Sequence, residues 1–202
     1  MDADSGFDRL MYTPAHFEVR DRDEIAAFMR RYNFAAIVMT LDGEITATHV
    51  PLVVRENAAE LSLIGHFAKA NPCSAVLENC EVLVIFTGPH DYVSPSLYDS
   101  KLSVPTWNYT AVHAYGTAGV IEAEPALMML VEASEPAYRE QWDALPVSFR
   151  EKMIAGVTAF EIRVKKLEGK YKLSQNRPPA DRARVTQAFE GSELGEFMKR
   201  VT

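Results

Sequence analysis

The sequence predicts a mainly β fold with peripheral helices. At least six segments show the alternation or the short apolar runs of β-strands, and hairpin signals such as Leu41-Asp42-Gly43 join some of them. The first four strands follow one another too closely for crossover helices to lie between them, which disfavours a doubly wound parallel sheet. We therefore expect antiparallel strands in a small β-barrel, with the helices outside it.

The N-terminal half predicts a helix followed by a meander. Asp21 and Glu24 have the spacing of an N-cap and N3 pair at the start of a helix. The apolar stripe of this helix comprises Ile25, Phe28, Met29 and Tyr32. Strands are predicted at residues 34–40, 44–54 and 61–67, with a turn at residues 57–60. A second helix is expected from Asn71 to Asn79, because Asn71 and Pro72 favour its first turn.

The C-terminal half alternates strands with short helices. A very apolar strand is predicted at residues 82–87, and a long ordered loop follows from Gly88 to Pro105. The next strand, at residues 106–122, is expected to break or bulge near Gly116 and Gly119. Helices are predicted at residues 125–133, after Pro146 (with Phe149, Met153 and Ile154 inward), and at residues 181–189 and 192–201. The last strand covers residues 158–167, and residues 170–173 continue it or pair with it.

Composition limits the class of protein. The chain has 202 residues, 48% of them hydrophobic, with a net charge of -7 and a pI near 5.3, which suits a globular protein without a uniformly basic surface. We found neither a membrane-length apolar run nor a basic leader, so we expect a cytoplasmic protein without a membrane partner. The expected organisation is a flexible leader at residues 1–10, one domain at residues 11–177 and a helical extension at residues 178–202.

The histidines do not follow a metal-binding pattern. There are five, and they are His16, His49, His66, His90 and His113. Their spacing matches neither H-x-x-x-H nor H-E-x-x-H, and the two cysteines, Cys73 and Cys80, do not form C-x-x-C. Gly-x-Ser-x-Gly, Walker and dinucleotide-binding glycine patterns do not occur either. We expect buried thiols and no dedicated metal site.

Two neighbouring segments suggest a site for a phosphate and a flat ring. Gly65 is expected to end a strand, where a backbone approaches a ligand closely, and His66 and Lys69 follow it near the predicted helix at Asn71. Free amide groups and the dipole at a helix N-terminus favour anions. On the preceding strand, Thr46, Thr48 and His49 offer hydrogen bonds to a ring edge. The alternative is that these polar residues are only the solvated face of a hairpin.

The sequence also resembles a known family. The segments MYTPAHF, ATHVPLV, GHFAKANP, GPHDYVSP, VPTWNY followed by VHAYG, and KLSQNR together resemble the PaiB family of FMN-binding split-barrel proteins, which are described as negative transcriptional regulators. The resemblance runs from about Met11 to Arg177. It implies a Greek-key split barrel related to pyridoxamine-phosphate oxidase and flavin reductases, a homodimer, and FMN bound in a cleft between subunits.

Carried over to this chain, the resemblance implies a set of cofactor-binding residues. Along the isoalloxazine ring it places Thr46, Ala47, Thr48, His49, Val50 and Pro51. Near the phosphate it places Gly65, His66 and Lys69, with Lys69 carrying more of the charge because the arginine of the related oxidases is missing. From the strand that crosses the dimer and from the KLSQNR turn it adds Trp107, Asn108, Gln175 and Arg177, the last as a second phosphate-binding cation.

The function remains open between several classes at this point. The family implies a flavin-dependent or flavin-sensing transcriptional regulator with a DNA or protein partner, and the fold equally suits an FMN-dependent oxidoreductase. A haem-binding or cofactor-free split barrel is less favoured. The C-terminal helices carry basic residues, namely Arg182, Arg184, Lys199 and Arg200. The acidic residues among them, Glu190, Glu193 and Glu196, disfavour DNA reading, so we expect these helices to pack against the domain or cover a dimer. No catalytic residue is assigned.

Overall fold

The computed structural model describes residues 11–57 and 60–201. The predicted leader at residues 1–10 lies outside these ranges, and so do the two middle residues of the turn predicted at 57–60. Among the described residues, no helix is both long enough and apolar enough to cross a membrane.

Eight strands form one antiparallel sheet, and six α-helices accompany it in the described chain. The strands are β1 Glu18–Val19, β2 Phe34–Leu41, β3 Glu44–Pro51, β4 Val53–Asn57, β5 Glu60–Ala68, β6 Cys80–Val93, β7 Thr106–Val120 and β8 Val157–Lys172. The helices are α1 Arg22–Arg31, α2 Ala123–Ser134, α3 Tyr138–Ala144, α4 Val147–Ala155, α5 Pro179–Ala188 and α6 Glu193–Arg200. The mainly β fold with peripheral helices is therefore confirmed.

The strand order shows how the sheet becomes a barrel. The order is β3-β2-β6-β7-β8-β5-β4, and β1 pairs with β8. The first and last strands of this order, β3 and β4, are joined by Leu52 alone. Because one residue cannot span an open sheet, the sheet must curl until its two ends meet. The single strand predicted at residues 44–54 is thus wrong: Pro51 has no amide hydrogen, and the amide of Leu52 donates to Asn33 O (2.9 Å) instead.

The chain divides into two compact units that interleave along the sequence. The terminal unit comprises residues 11–25, 87–112 and 168–201, and its buried side chains include Val93, Tyr171, Leu173, Val185 and Met198. The central unit comprises residues 26–57, 60–86 and 113–167, and its buried side chains include Ile37, Leu63, Val84, Phe160 and Ile162. Strands β6, β7 and β8 each contribute residues to both units.

The local signals for α1 and for the β2–β3 hairpin are confirmed. Asp21 Oδ1 accepts the amides of Asp23 (2.9 Å) and Glu24 (3.1 Å), so it caps the helix as predicted. The hairpin turns at Asp42 and Gly43, whose φ values of 52° and 83° match a type I′ turn. The two C-terminal helices are also present, with Gly191 between them at a φ of 79°.

Three predicted elements on the way to the site are wrong. The helix expected from Asn71 to Asn79 is a short 3-10 helix, Pro72–Val76, because Asn79 turns to a φ of 60° and β6 begins at once. The loop expected at residues 88–105 is only residues 94–105, since β6 continues to Val93 and pairs with β7. β7 passes through Gly116 and Gly119 without a break. Residues 170–172, by contrast, continue β8, which is one of the two arrangements that the sequence predicted.

Two of the helices between β7 and β8 differ from the prediction. Helix α3 was not predicted at all. Phe149 and Met153 of α4 were expected to face inward, yet their side chains are 46% and 40% exposed. Helix α4 therefore presents an apolar face to solvent in this chain, whereas Trp142 of α3 is buried.

Candidate functional site

Six predicted site residues lie on β3, an end strand of the sheet in the central unit. Side chains of Thr46 and Thr48 point to the opposite face from that of His49, because successive residues of a strand alternate. Thr48 Oγ1 accepts a hydrogen bond from Asn71 Nδ2 (3.4 Å) and lies 3.8 Å from Cys73 Sγ. The ring of His49 stacks on Phe34, with 6.2 Å between the centroids. The two faces of β3 therefore offer different chemistry.

The other three residues of β3 differ in accessibility. Ala47 and Pro51 are exposed, whereas Val50 is buried and faces the interior. Only the exposed residues could lie along a ligand ring without a change in the packing of the barrel. That residues 46–51 lie along a flavin ring stays a prediction. Fewer of these residues are accessible than the sequence implied.

Gly65 has a different role from the one expected. Strand β5 does not end there but continues to Ala68, with Gly65 paired opposite Phe160 of β8. A Cβ atom at this position would lie 2.7 Å from Leu52 Cδ2 and 2.9 Å from Phe160 Cζ. The glycine is thus explained by close packing inside the barrel, and the expectation that the strand ends at Gly65 is wrong.

His66 supplies a neutral hydrogen-bonding group. It lies on β5 opposite Ala159, and burial lowers the pKa of its imidazole below the usual value. The ring is therefore uncharged at neutral pH and cannot act as a cation toward a phosphate. Its Nδ1 atom is buried and has no hydrogen-bond partner among the described residues. Such an atom is costly to leave unpaired, so a hydrogen bond from a ligand atom would stabilise it.

Lys69 lies just after β5 and is exposed. Its amide donates to Gly156 O (2.8 Å). The 3-10 helix that follows has only five residues, and Asn71 Oδ1 already accepts the first free amide, that of Cys73 (3.0 Å). The α-helix N-terminus on which the anion-binding argument rested is therefore replaced by a short capped 3-10 helix, and Lys69 is a single exposed cation there.

Two of the four site residues in the terminal unit stabilise local structure. Asn108 is fully buried and exchanges hydrogen bonds with Ser174 Oγ, at 3.0 Å from its Nδ2 and 3.1 Å from its Oδ1. Gln175 Oε1 accepts the amide of Leu173 (2.6 Å), and its Nε2 donates to Tyr171 O (2.5 Å). Both amide side chains already have partners, which leaves little of either for a cofactor.

Trp107 and Arg177, the other two, remain accessible. The side chain of Trp107 is 53% exposed and meets the edge of Tyr92 (6.1 Å between centroids) and the ring of His90 (6.4 Å). The guanidinium of Arg177 lies 4.1 Å from the centroid of the Tyr98 ring, a cation–π contact. These residues provide an exposed aromatic surface and a cation within one unit.

The sequence analysis missed Lys170 and Lys172, two cations near the end of β8. Lys172 Nζ donates to Thr106 Oγ1 and to Trp107 O. The pKa of Lys172 is lowered, first by burial and then by the neighbouring charges of Lys170 and Arg177. The alternation Lys170-Tyr171-Lys172 was a usable signal, because residues two apart on a strand share a face.

The donors present fit a phosphorylated flavin. A flavin ring needs hydrogen-bonding atoms and an apolar surface, and its phosphate needs cations. The described chain offers the unpaired Nδ1 of His66, the exposed ring of Trp107, and the cations Lys172 and Arg177. His66 belongs to the central unit and the other three belong to the terminal unit.

The fold is that of the FMN-binding split-barrel proteins, and comparisons with known proteins agree. The family described as "Putative FMN-binding domain" matches residues 11–166. "Protease synthase and sporulation protein PAI 2" of Bacillus subtilis is 38% identical over 190 residues, which is 91% of both chains. The chain therefore belongs to the PaiB family, and the prediction of FMN as the cofactor is confirmed.

Solved structures support the fold at low sequence identity. The FAD and heme binding protein from Mycobacterium smegmatis superposes with a TM-score of 0.60 at 16% identity, over 77% of this chain and 73% of that one. The flavocytochrome Anf3 from Azotobacter vinelandii gives a TM-score of 0.56 at 16% identity, over 77% and 69%. At this level of identity the likeness concerns the split-barrel architecture alone.

Proposed function

We propose that this protein binds FMN between two copies of the chain and acts as a flavin-dependent or flavin-sensing regulator of transcription. Membership of the FMN-binding family supports the cofactor. The observation in the chain that carries the proposal is His66, whose buried Nδ1 lacks a partner among the described residues and whose lowered pKa keeps the ring neutral. A neutral, desolvated imidazole suits an uncharged polar atom on a flavin ring edge.

The regulatory part of the proposal rests on the relative. The Bacillus subtilis protein is named for protease synthesis and sporulation, which are controlled processes, and it aligns with nearly the whole chain. FMN, when bound, supplies redox chemistry that a sensor can report. The residues of the chain would bind and orient it.

A homodimer is supported by apolar side chains at an end of the sheet. Ile45 of β3 is 83% exposed, and Phe34 of β2 is 66% exposed, in the chain considered alone. Exposed apolar side chains on an end strand favour association with another surface. Since β3 also carries six of the predicted flavin contacts, we place the FMN site at the interface of two copies.

The contacts of α5 and α6 favour regulation through a protein partner over DNA reading by these helices. Arg182 Nη2 donates to Val201 O (2.6 Å), and Arg184 Nε donates to Leu97 O (2.8 Å). Lys199 pairs with Glu196 on the same helix (3.1 Å). Basic side chains that hold the protein's own structure are less available for DNA phosphates.

An FMN-dependent oxidoreductase is the second candidate, and the exposed surface of His90, Tyr92 and Trp107 favours it. An accessible aromatic surface could receive a planar substrate. His90 Nδ1 lies 3.2 Å from Gly88 O, which fixes the ring and leaves its Nε2 atom for a ligand. A haem-binding or cofactor-free module has less support from the described residues.

An absorption spectrum of the purified protein, before and after FMN is added, tests the proposal. We expect a bound flavin with quenched fluorescence, and weaker binding in a His66→Leu variant than in a His16→Leu control, since His16 is exposed and is not among the predicted flavin contacts. A protein that stays colourless and ignores FMN would overturn the flavin assignment, and a Soret band would assign haem instead. Sustained oxidation of NADH or NADPH by the FMN-loaded protein would favour the oxidoreductase.

A further inference from the structure

Three cationic side chains of the terminal unit form a cluster without carboxylate partners. These are Lys170, Lys172 and Arg177, and within the described ranges none of them makes an ion pair with Asp or Glu. Other buried or half-buried charges of the described chain do have such partners; Asp181 pairs with Arg184, and Arg55 pairs with Glu161. Three like charges together are unfavourable unless something of opposite charge joins them.

The contacts of Lys170 show that it is held in place and not solvated. The residue is 7% exposed, and its Nζ donates to Tyr12 O (2.7 Å). The same ammonium lies 5.4 Å from the ring centroids of both Tyr12 and Tyr109. Burial of a lysine is rare without a counter-charge, and two cation–π contacts offset only part of the desolvation cost.

Lys172 and Arg177 extend the cluster toward the aromatic surface described above. Lys172 Nζ is bonded to Thr106 Oγ1 and Trp107 O, so the position of this charge is fixed to the strand that carries Trp107. Arg177 is fixed over the ring of Tyr98. Neutral acceptors and aromatic faces orient both cations and leave their charge uncompensated.

The mutual repulsion of the three positive charges raises the free energy of the folded protein, and a bound anion would reduce this cost. Burial and the charges of Lys170 and Arg177 lower the pKa of Lys172. Between this lowered pKa and the ordinary value, the unfolded chain binds more protons than the folded chain does. The free energy of unfolding therefore rises with pH in that window. At a pH below both values, the full cost of the charged lysine is present. A bound anion would relieve it and raise the pKa again.

We propose that Lys170, Lys172 and Arg177 form an anion site that binds the phosphate group of a ligand whose planar ring lies against Trp107. Arg binds phosphate oxygens through two parallel hydrogen bonds, and lysines bind them as point charges. The inference deepens the proposed function, since the phosphate of FMN is one source. A second phosphorylated ligand, used together with the flavin, is the other source.

The site differs from the one at Lys69 that the sequence suggested. Lys69 is a single exposed cation beside a 3-10 helix of five residues, whereas the cluster combines three cations with partly removed solvent. Electrostatic attraction is weaker in water than in a partly desolvated site. The cluster therefore provides the stronger binding of a doubly charged phosphate.

The first experiment titrates the full-length protein with inorganic phosphate at constant ionic strength, by calorimetry. We expect saturable binding in the wild type and an increase in Kd of at least about tenfold in Lys172→Gln and Arg177→Gln, as expected for loss of a charged hydrogen bond. Lys172→Arg restores the charge and should stay within a few-fold of wild type. Lys165→Gln is the matched control, because Lys165 lies on the same strand but pairs with Glu81.

Circular dichroism of each variant establishes that it is folded before the titration is interpreted. A wild type that does not bind phosphate would overturn the anion site, and so would folded K172Q and R177Q variants that bind phosphate as well as K165Q does. Lost binding in K172Q and R177Q, with binding kept in K172R and K165Q, supports it.

The second experiment compares FMN with riboflavin, which lacks the phosphate, in the same variants by flavin fluorescence. If FMN is the source of the phosphate, K172Q weakens the binding of FMN at least about tenfold and leaves the binding of riboflavin unchanged. If FMN binding is unchanged while phosphate binding is lost, the site belongs to a second phosphorylated ligand. A wild type that binds phosphate but not FMN would refute the proposed function alone. A wild type that binds FMN but does not bind phosphate would refute the anion site alone.

Discussion

The imidazole of His66 links the stability of the central unit to pH. Its pKa is lowered by burial, so the folded protein keeps the ring neutral at a pH where the unfolded chain already binds a proton. The contribution of His66 to stability is complete above about pH 6.5, the ordinary histidine value, and is lost as the pH falls through that value toward the lowered one.

We therefore expect His66→Gln to flatten the acid side of the stability profile. Urea unfolding of the ligand-free protein at pH 7.5 and pH 5.5 measures this effect. The wild type should lose more stability between these values than H66Q does. His49→Gln, a change of the exposed histidine on β3, should keep the wild-type difference. Equal losses in the wild type and H66Q would contradict the burial of this ring.

Two glycines of β7 provide a matched test of backbone packing. A Cβ atom at Gly116 would lie 2.3 Å from Arg163 O of β8, a backbone atom that cannot move without disturbing the sheet. A Cβ atom at Gly119 would meet only Glu78 Oε2, at 3.9 Å. We expect Gly116→Ala to destabilise the protein by about 1–3 kcal/mol and Gly119→Ala to change it little, measured by chemical denaturation. Similar effects at both positions would contradict this contact.

Single residues were predicted well where their chemistry is local. Asp21 caps α1 because its carboxylate reaches its own helix, and Asp42-Gly43 turns because of its own backbone angles. Asn108 is different, since its partner Ser174 is far along the chain and no local pattern shows that its amide is already bonded. Lys170 and Lys172 were missed because their meaning depends on Arg177 and on the lack of an ion pair with Asp or Glu within the described ranges.

At the scale of elements, α5 is attached to the segment after β6 through Arg184. Its guanidinium contacts Leu97 O, Asp99 Oδ1 (2.8 Å) and the buried carboxylate of Asp181. The amide of Asp99 donates to Asp181 as well (3.0 Å). This arrangement holds residues 95–99 against the helix and occupies a basic residue that a DNA-reading helix would need.

We expect Arg184→Ala to destabilise the protein by about 1–3 kcal/mol, because it leaves the Asp181 carboxylate without its cation. Limited proteolysis should cut residues 94–105 faster in this variant than in the wild type. Lys199→Ala is the control, as its pair with Glu196 is exposed and worth little. Unchanged stability and cleavage in R184A would show that the segment is held by other contacts.

The elements that sequence failed to predict share one physical cause. His90, Asp91 and Tyr92 are polar or aromatic and follow a glycine and a proline, so they resemble a loop, yet pairing with β7 keeps them in β6. The residues after Asn71 have helical spacing, but the start of β6 at Cys80 leaves room for only a 3-10 helix. In both cases the neighbouring strand, distant in sequence, overrides the local preference.

At the scale of the whole molecule, association of two copies and flavin binding are expected to depend on each other. Ile45 is the most exposed large apolar residue of β3, next to the predicted flavin contacts. We expect Ile45→Asp to produce a monomer and to weaken FMN binding at least about tenfold, because a charge in a buried apolar contact is costly. Light scattering after size exclusion, with flavin absorbance recorded together, measures both properties.

Val147→Asp on α4 is the control for this experiment, since Val147 is also apolar and exposed. It should remain dimeric and loaded with FMN. A flavin-loaded monomer, either in the wild type or in I45D, would refute a site shared between two copies while leaving FMN binding intact.

The pairing of β8 sets the order of events during protein synthesis. Glu18 of β1 pairs with Lys170, and Gly65 of β5 pairs with Phe160. Both strands therefore pair with β8, which is translated much later. Until β8 has left the ribosome, each has an unsatisfied edge that could pair with another chain. Closure of such distant pairs is also slow. A nascent chain that stalls before β8 is therefore an early target for chaperones and proteases, whatever the final stability of the barrel.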